Sequence, residues 1–240
     1  MTTRKTANRR ATRTRTEDMP LFAPIVQDST PALIAQQLRE AIAEGRFVPG
    51  QQLLETSLAA SLGVSRGPLR EAMQRLTQEG LLVGHRNRGL FVMDLDEATV
   101  RDMYLARGAV ERAAVECLVD TGNGPSAIAL LDIVAEMRAE DGAPDGPEIA
   151  ALDMRFHQRL VALTGSPRLV RMHDTLLTQV RLCLARMQAT YDDTEIRASE
   201  HEAIARAIVD GDKARATGLL AEHMNDGLRR VLAVLEAEDA

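Results

Sequence analysis

Residues 62–80 read LGVSRGPLREAMQRLTQEG. Gly63 is placed to end one helix in a left-handed residue, and Ser65 is placed to cap the next. From there Leu69, Ala72, Met73 and Leu76 recur at helical spacing and predict a buried face, until Gly80 closes the segment. Arg66 and Arg70 lie one turn apart at the N-terminal end, away from the apolar set. The exposed edge is therefore slim and positive. A DNA major groove about 12 Å wide admits such a helix end first, and an arginine there can donate two hydrogen bonds to guanine O6 and N7.

The flanking sequence supplies the partners of this helix. Ser29-Thr30-Pro31 reads as a cap with proline in the first turn, and Leu33, Ile34, Leu38 and Ile42 then share one face until Gly45. The stretch FVPGQQL, residues 47–53, reads as a turn, and Glu55 to Leu62 as a short second helix. After Gly80 the pattern changes: LLVGH and GLFVM predict two strands flanking a basic tip, in which Arg86 and Arg88 surround Asn87 and precede Gly89. A tight turn there would let the tip approach a minor groove or the phosphate backbone. Three short helices followed by a two-stranded wing make a winged helix-turn-helix. Beyond Asp96 the periodicity is helical throughout, over about 96–119, 126–140, 147–164, 167–189, 194–210 and 212–237. The expected fold is mainly α: an N-terminal winged helix-turn-helix and a C-terminal antiparallel all-helical bundle, with a disordered basic tail at 1–28, the DNA-binding domain at 29–95 and the helical domain at 96–240.

Composition agrees with this division. Of 240 residues, only 2% are aromatic, which disfavours sheet. The net charge of −6 argues against nucleic acid, yet it divides into +4 over residues 1–95 and −10 over the remainder. Six of the basic groups fall between Arg4 and Arg15, in a segment without apolar periodicity. Cys117 and Cys183 lack metal-type spacing and read as reduced, buried thiols of a cytoplasmic protein. No apolar run approaches the ~20 residues that span a bilayer, so no membrane partner is expected.

Together, PGQQLLETSLAASLGVSRGPLREAMQRLTQEGLL and the following RNRGLFV resemble the DNA-binding domain of the GntR family of bacterial transcription regulators, over about residues 30–93. The resemblance rests on Pro49-Gly50, Leu53, Glu55, Leu58-Ala59, Gly63-Val64-Ser65-Arg66, Pro68, Arg70-Glu71, Glu79-Gly80-Leu81 and Arg88-Gly89. It implies that Ser65, Arg66, Gly67, Arg70, Arg86, Asn87, Arg88 and Gly89 form the surface for double-stranded operator DNA. Gly67 stands where many relatives carry threonine.

In the second half, LDMRFH places Asp153 and His157 four residues apart on one helical face, either as a surface pair or as two ligands. His201 precedes the Gly211-Asp212 turn by about as much as His223 follows it. In an antiparallel hairpin, a rise of ~1.5 Å per residue puts both imidazoles roughly 15–17 Å from the turn, and therefore level. A third helix carrying Asp153 and His157 would complete a four-donor set. The competing reading leaves each histidine exposed or satisfied in the core, and it is the one adopted for His85 and His173, which have no spaced partner.

The order Asp153, His157, His201, His223, with ARGAVERAAV and EHEAIARAIVDGDKARA, is similar to the FCD effector domain of the FadR subfamily, over about residues 98–235. That resemblance implies a divalent metal site made of these four residues, with zinc foremost and nickel or manganese as alternatives, since the donors are nitrogen and oxygen without thiolate. It also implies a small organic acid as effector, with Arg107 as a carboxylate clamp or, equally, the partner of an i,i+4 surface pair with Glu111. The expected protein is a homodimeric transcription regulator, a repressor or an activator, that binds an inverted repeat. The alternative, a metal-dependent hydrolase with an accessory DNA-binding domain, lacks a spaced general base, a GxSxG turn or a phosphate loop.

Overall fold

The structure, a computed structural model, describes residues 30–140, 147–184 and 194–238. The basic tail 1–28, the cap at Ser29, the end of the 167–189 helix and the side chain of Cys183 lie outside the described residues.

The head consists of α1 (Thr30–Ala43), β1 (Gln52–Leu53), α2 (Glu55–Leu62), α3 (Arg66–Gln78), β2 (Leu82–His85) and β3 (Gly89–Val92). α1 and α2 both pack on α3, whose Leu69, Ala72, Met73 and Leu76 are buried as their spacing requires. Within α1 the buried set is Ile34, Ala35, Leu38, Ala41 and Ile42, whereas Leu33 is 50% exposed. Leu33 lies about 100° around the helix from Ile34, outside the stripe that the other residues define. The expected wing is present as β2 and β3, antiparallel in register from Leu82↔Val92 to His85↔Gly89. A third strand joins it, because part of the stretch read as a turn pairs Gln52 with Phe91 and Leu53 with Leu90. Two residues are too few to show a period, and β1 is fixed instead by burial of Leu53 and by the Val92 N–H donating to the Gln51 carbonyl.

Ser65 occupies the N-cap of α3 with extended backbone, but its side chain makes no capping bond. Its usual target at the third helical residue is missing: that residue is Pro68, which has no N–H.

Among the described residues the remaining helices are α4 (Glu97–Asp120), α5 (Ile128–Ala139), α6 (Pro147–Ala162), α7 (Pro167–Leu184), α8 (Thr194–Val209) and α9 (Lys213–Glu238), with a 3₁₀ turn at Gly124–Ala127. Asp96 caps α4 by accepting from the Thr99 N–H at 2.8 Å. α8 and α9 form the expected antiparallel hairpin about Gly211, and α4 packs on α6, α7, α8 and α9. Four residues separate β3 from α4, and one continuous apolar core runs from the head into the bundle. Cys117 is half-buried rather than buried, since it flanks the inward stripe of Ala114 and Leu118. No helix among the described residues is long and apolar enough to cross a membrane.

Candidate metal centre and DNA-reading surface

The two level histidines of the α8–α9 hairpin meet the α6 pair inside the bundle. Asp153, His157, His201 and His223 are all buried, and each offers a ligand atom within 4.8 Å of the others. The His157 Nε2 lies 3.3 Å from that of His201 and 3.2 Å from that of His223. Asp153 brings Oδ1 to 3.4 Å from His201 Nε2 and Oδ2 to 4.0 Å from His157 Nε2. The surface-pair reading of Asp153 and His157 is thereby excluded, because neither is on the surface.

The other nitrogen of each imidazole fixes which lone pair faces inward. His157 Nδ1 sits 2.6 Å from Glu111 Oε2, His201 Nδ1 sits 2.7 Å from the Arg197 carbonyl, and His223 Nδ1 sits 2.9 Å from Glu200 Oε2. A carbonyl or carboxylate oxygen accepts, so in each neutral ring Nδ1 carries the proton and Nε2 presents a lone pair to the centre. Burial, aided by the charge of Arg107, depresses the His157 pKa to about 3 and keeps that ring neutral. Burial also lowers His223. For Asp153 burial acts in the opposite sense, but the contact with His201 and the charges around it outweigh it and hold the carboxyl well below its usual range.

The donor set fits a divalent ion. Donors about 2.0–2.1 Å from one ion stand roughly 3.0–3.4 Å apart, matching the nitrogen separations. Three inward lone pairs and a carboxylate repel one another in a dry core, and a single cation satisfies them all.

Glu111 organises one side of this centre, and its role was not legible in the sequence. Fully buried, it receives Arg107 Nε at 2.7 Å, His157 Nδ1 at 2.6 Å and His173 Nε2 at 2.9 Å. Burial would raise its pKa, but Arg107, His157 and His173 hold it well below the ordinary value. The Arg107–Glu111 pair thus exists, but at 4% and 0% exposure it is part of the core and not a surface pair. His173 is satisfied in the core, as read, and also belongs to this network. The i,i+4 spacing of Arg107 and Glu111 was the available signal. His85 is exposed on the wing, edge-on to Phe91.

On the head, Ser65, Arg66, Gly67 and Arg70 are exposed at the start of α3, and Arg86, Asn87, Arg88 and Gly89 at the wing tip. Asn87 adopts φ 62° and Gly89 φ 94°, which turn the chain sharply enough to present the two arginines. Arg70 donates to Glu55 of α2 at 2.7 Å, so its guanidinium is held beside the recognition helix.

A winged head whose helix end and wing tip are both basic, joined to a helical bundle with a buried polar cluster, defines a DNA-binding regulator with a sensory domain. The chain belongs to the gntR family of bacterial regulatory proteins, whose sequence profile matches residues 32–92, and it carries an FCD domain, matched over residues 102–226. The Nta operon transcriptional regulator of Aminobacter aminovorans is 30% identical over 192 residues, covering 79% of this chain and 88% of the relative. The gluconate operon transcriptional repressor of Bacillus subtilis (strain 168) is 27% identical, covering 82% and 83%. Among solved structures, the transcriptional regulator GntR of Rhodococcus sp. RHA1 superposes with a TM-score of 0.66 at 28% identity, covering 86% of this chain and 99% of that one. These relatives are transcriptional regulators and not enzymes, so the hydrolase alternative is set aside.

Proposed function

We propose that this regulator, through the head at 29–95, binds an inverted-repeat operator as a homodimer, and that the helical domain at 96–240 senses a small organic acid beside a metal held by Asp153, His157, His201 and His223. The observation that carries the reading is the convergence of three imidazole Nε2 atoms and one carboxylate next to the buried Arg107–Glu111 pair. A divalent ion bound there supplies a positive centre that favours an anionic oxygen. Zinc suits the donors best, with nickel and manganese compatible.

The protein's own residues do the rest. Arg107 offers a guanidinium whose planar fork matches a carboxylate, and Glu111 holds it in place through Nε. An acid taking the remaining guanidinium nitrogens shares the cation with Glu111, which also touches α6 through His157 and α7 through His173. The relative named for a gluconate operon agrees with an acid of this kind, since gluconate is a small hydroxy acid. α4 leads directly from the wing, so a change at Arg107 lies on the element that continues into the head.

Operator release titrated with candidate carboxylates tests this on wild type, Arg107→Ala and metal-stripped protein. Loss of the acid response in both altered forms, with operator binding kept, supports the reading. An unchanged response after stripping makes the metal structural and removes it from sensing.

A further inference from the structure

Most glycines of this chain have a reason inside the fold. A Cβ on Gly124 would meet the Ile208 carbonyl oxygen at 2.5 Å, one on Gly227 would press on the Tyr104 ring at 3.2 Å, and Gly63, Gly80 and Gly89 take positive φ. Gly67 has neither reason. It is exposed in the first turn of α3, its φ is not positive, and a Cβ built there meets nothing within 4 Å. Glycine is the poorest helix former after proline, so for the chain alone an alanine would serve this turn better. Gly218 of α9 is open in the same way on the bundle, so openness by itself assigns no role.

What sets Gly67 apart is its direction. Counting about 100° per residue from Arg66 at 0°, the buried Ala72, Leu76, Leu69 and Met73 fall near 240°, 280°, 300° and 340°, centred at about 290°. Gly67, at about 100° on the same count, points almost directly away from that stripe, with Arg66 and Arg70 to one side of it. Glu71, Gln74 and Gln78 share the outward side but lie one or more turns further along. When the N-terminal end of α3 enters a major groove with the core behind it, Gly67 therefore faces the groove floor, where the base-pair edges lie.

We infer that Gly67 is a specificity-determining residue, whose bare backbone lets the base-pair edges of the operator come into van der Waals contact with the recognition helix. Any side chain there would hold α3 off by about one carbon–carbon bond. The inference rests on the DNA-reading surface described above and deepens it by naming the position that sets how deeply the helix enters. Depth matters because a bidentate arginine contact loses its alignment when the donor is displaced. The chain gives up helix stability at this position for approach to DNA, so substitution moves stability and operator affinity in opposite directions.

The test uses the full chain and an inverted-repeat duplex selected by the wild-type protein from a random pool. Gly67→Ala should raise the melting temperature by about 1–3 °C and weaken binding to that duplex about tenfold or more. Binding to random duplex, which phosphate contacts dominate, should stay within about threefold. Gly218→Ala should stabilise to a similar extent and leave operator binding unchanged. Selection repeated with Gly67→Thr should return a different base preference beside the pair read by Arg66. Operator binding by Gly67→Ala equal to wild type, an equal loss on random duplex, or a lowered melting temperature each overturns the inference. Arg66→Ala serves as the reference: if it weakens operator binding while Gly67→Ala does not, the reading of α3 stands and only this inference falls, whereas indifference to both removes α3 as the reading element.

Discussion

The side-chain amide of Gln179, on α7, donates to the backbone oxygen of Glu79 at 3.0 Å, and Glu79 is the residue that closes the recognition helix α3. Arg39 of α1 grips the carboxylate of the same residue at 2.7 and 2.9 Å. α7 also carries His173, which bonds to Glu111 in the buried cluster. One helix therefore touches both the sensing network and the end of the helix aimed at DNA. Replacing Gln179 with alanine should leave operator affinity within a few-fold while reducing acid-driven release, a coupling worth about 1 kcal/mol. Operator titrations with and without acid measure this; an unchanged ratio places the coupling in α4 alone.

Glu111→Ala should be among the most damaging single changes in the bundle. It leaves Arg107 buried without its counter-charge, and breaking a buried pair costs about 3–5 kcal/mol. Urea unfolding should show the loss. A cost below about 1 kcal/mol, the range of exposed pairs, means that water reaches the buried cluster freely.

Metal content should depend on individual imidazoles. Purified protein is expected to carry a divalent ion, and His201→Ala or His223→Ala should abolish it and remove the stabilisation given by added zinc, since an ion bound only by the folded bundle stabilises by mass action. Elemental analysis and thermal melts report both. An equal zinc-dependent shift in wild type and His201→Ala would rule out this donor set.

Stripped of metal, the protein should lose stability as pH falls below about 6.5. His157 binds a proton only near 3 when folded but near 6.5 when unfolded, so between these values the unfolded chain takes up a proton that the native one refuses. Each such proton costs about 1.4 kcal/mol per pH unit. The depressed Asp153 and Glu111 add to the loss in the same direction at lower pH, once their unfolded forms begin to protonate. Melting temperatures of stripped protein from pH 7.5 to 5 should fall steadily; a flat profile contradicts a neutral, buried His157.

At the DNA surface, Arg66→Ala should weaken specific operator binding by ~1–3 kcal/mol and relax base preference, whereas Arg86→Ala should act evenly across sequences and lower the salt slope. Glu55→Ala should change stability little, because its pair with Arg70 is partly exposed to solvent, while altering operator affinity by releasing Arg70. Binding to operator and random DNA at two salt concentrations separates these effects. Equal losses on both DNAs for Arg66→Ala remove its base-reading role.

The division between what was and was not legible follows the range of the information. Helix positions, the wing and the inward face of α3 are set by patterns within about a dozen residues, and the local steric and hydrophobic rules that create them act at that distance. Asp153 with His157 is also local, one turn apart, and His201 with His223 could be placed level because a single turn joins their helices. β1 leaves no such pattern, because its two residues carry no period.

By itself, then, the sequence determined the helices and the two-stranded wing, their order, the basic edge of the recognition helix and the four candidate ligands. Only the tertiary structure decided that Glu111 reaches His157 and His173 across 46 and 62 positions, that Arg107 is buried, and that Gln179 meets Glu79 across 100. Periodicity tells a helix which face to bury but not which neighbour will cover it. That choice is made by the packing of all the helices at once, and it turned a glutamate read only as a surface partner of Arg107 into the residue that orients His157 and His173.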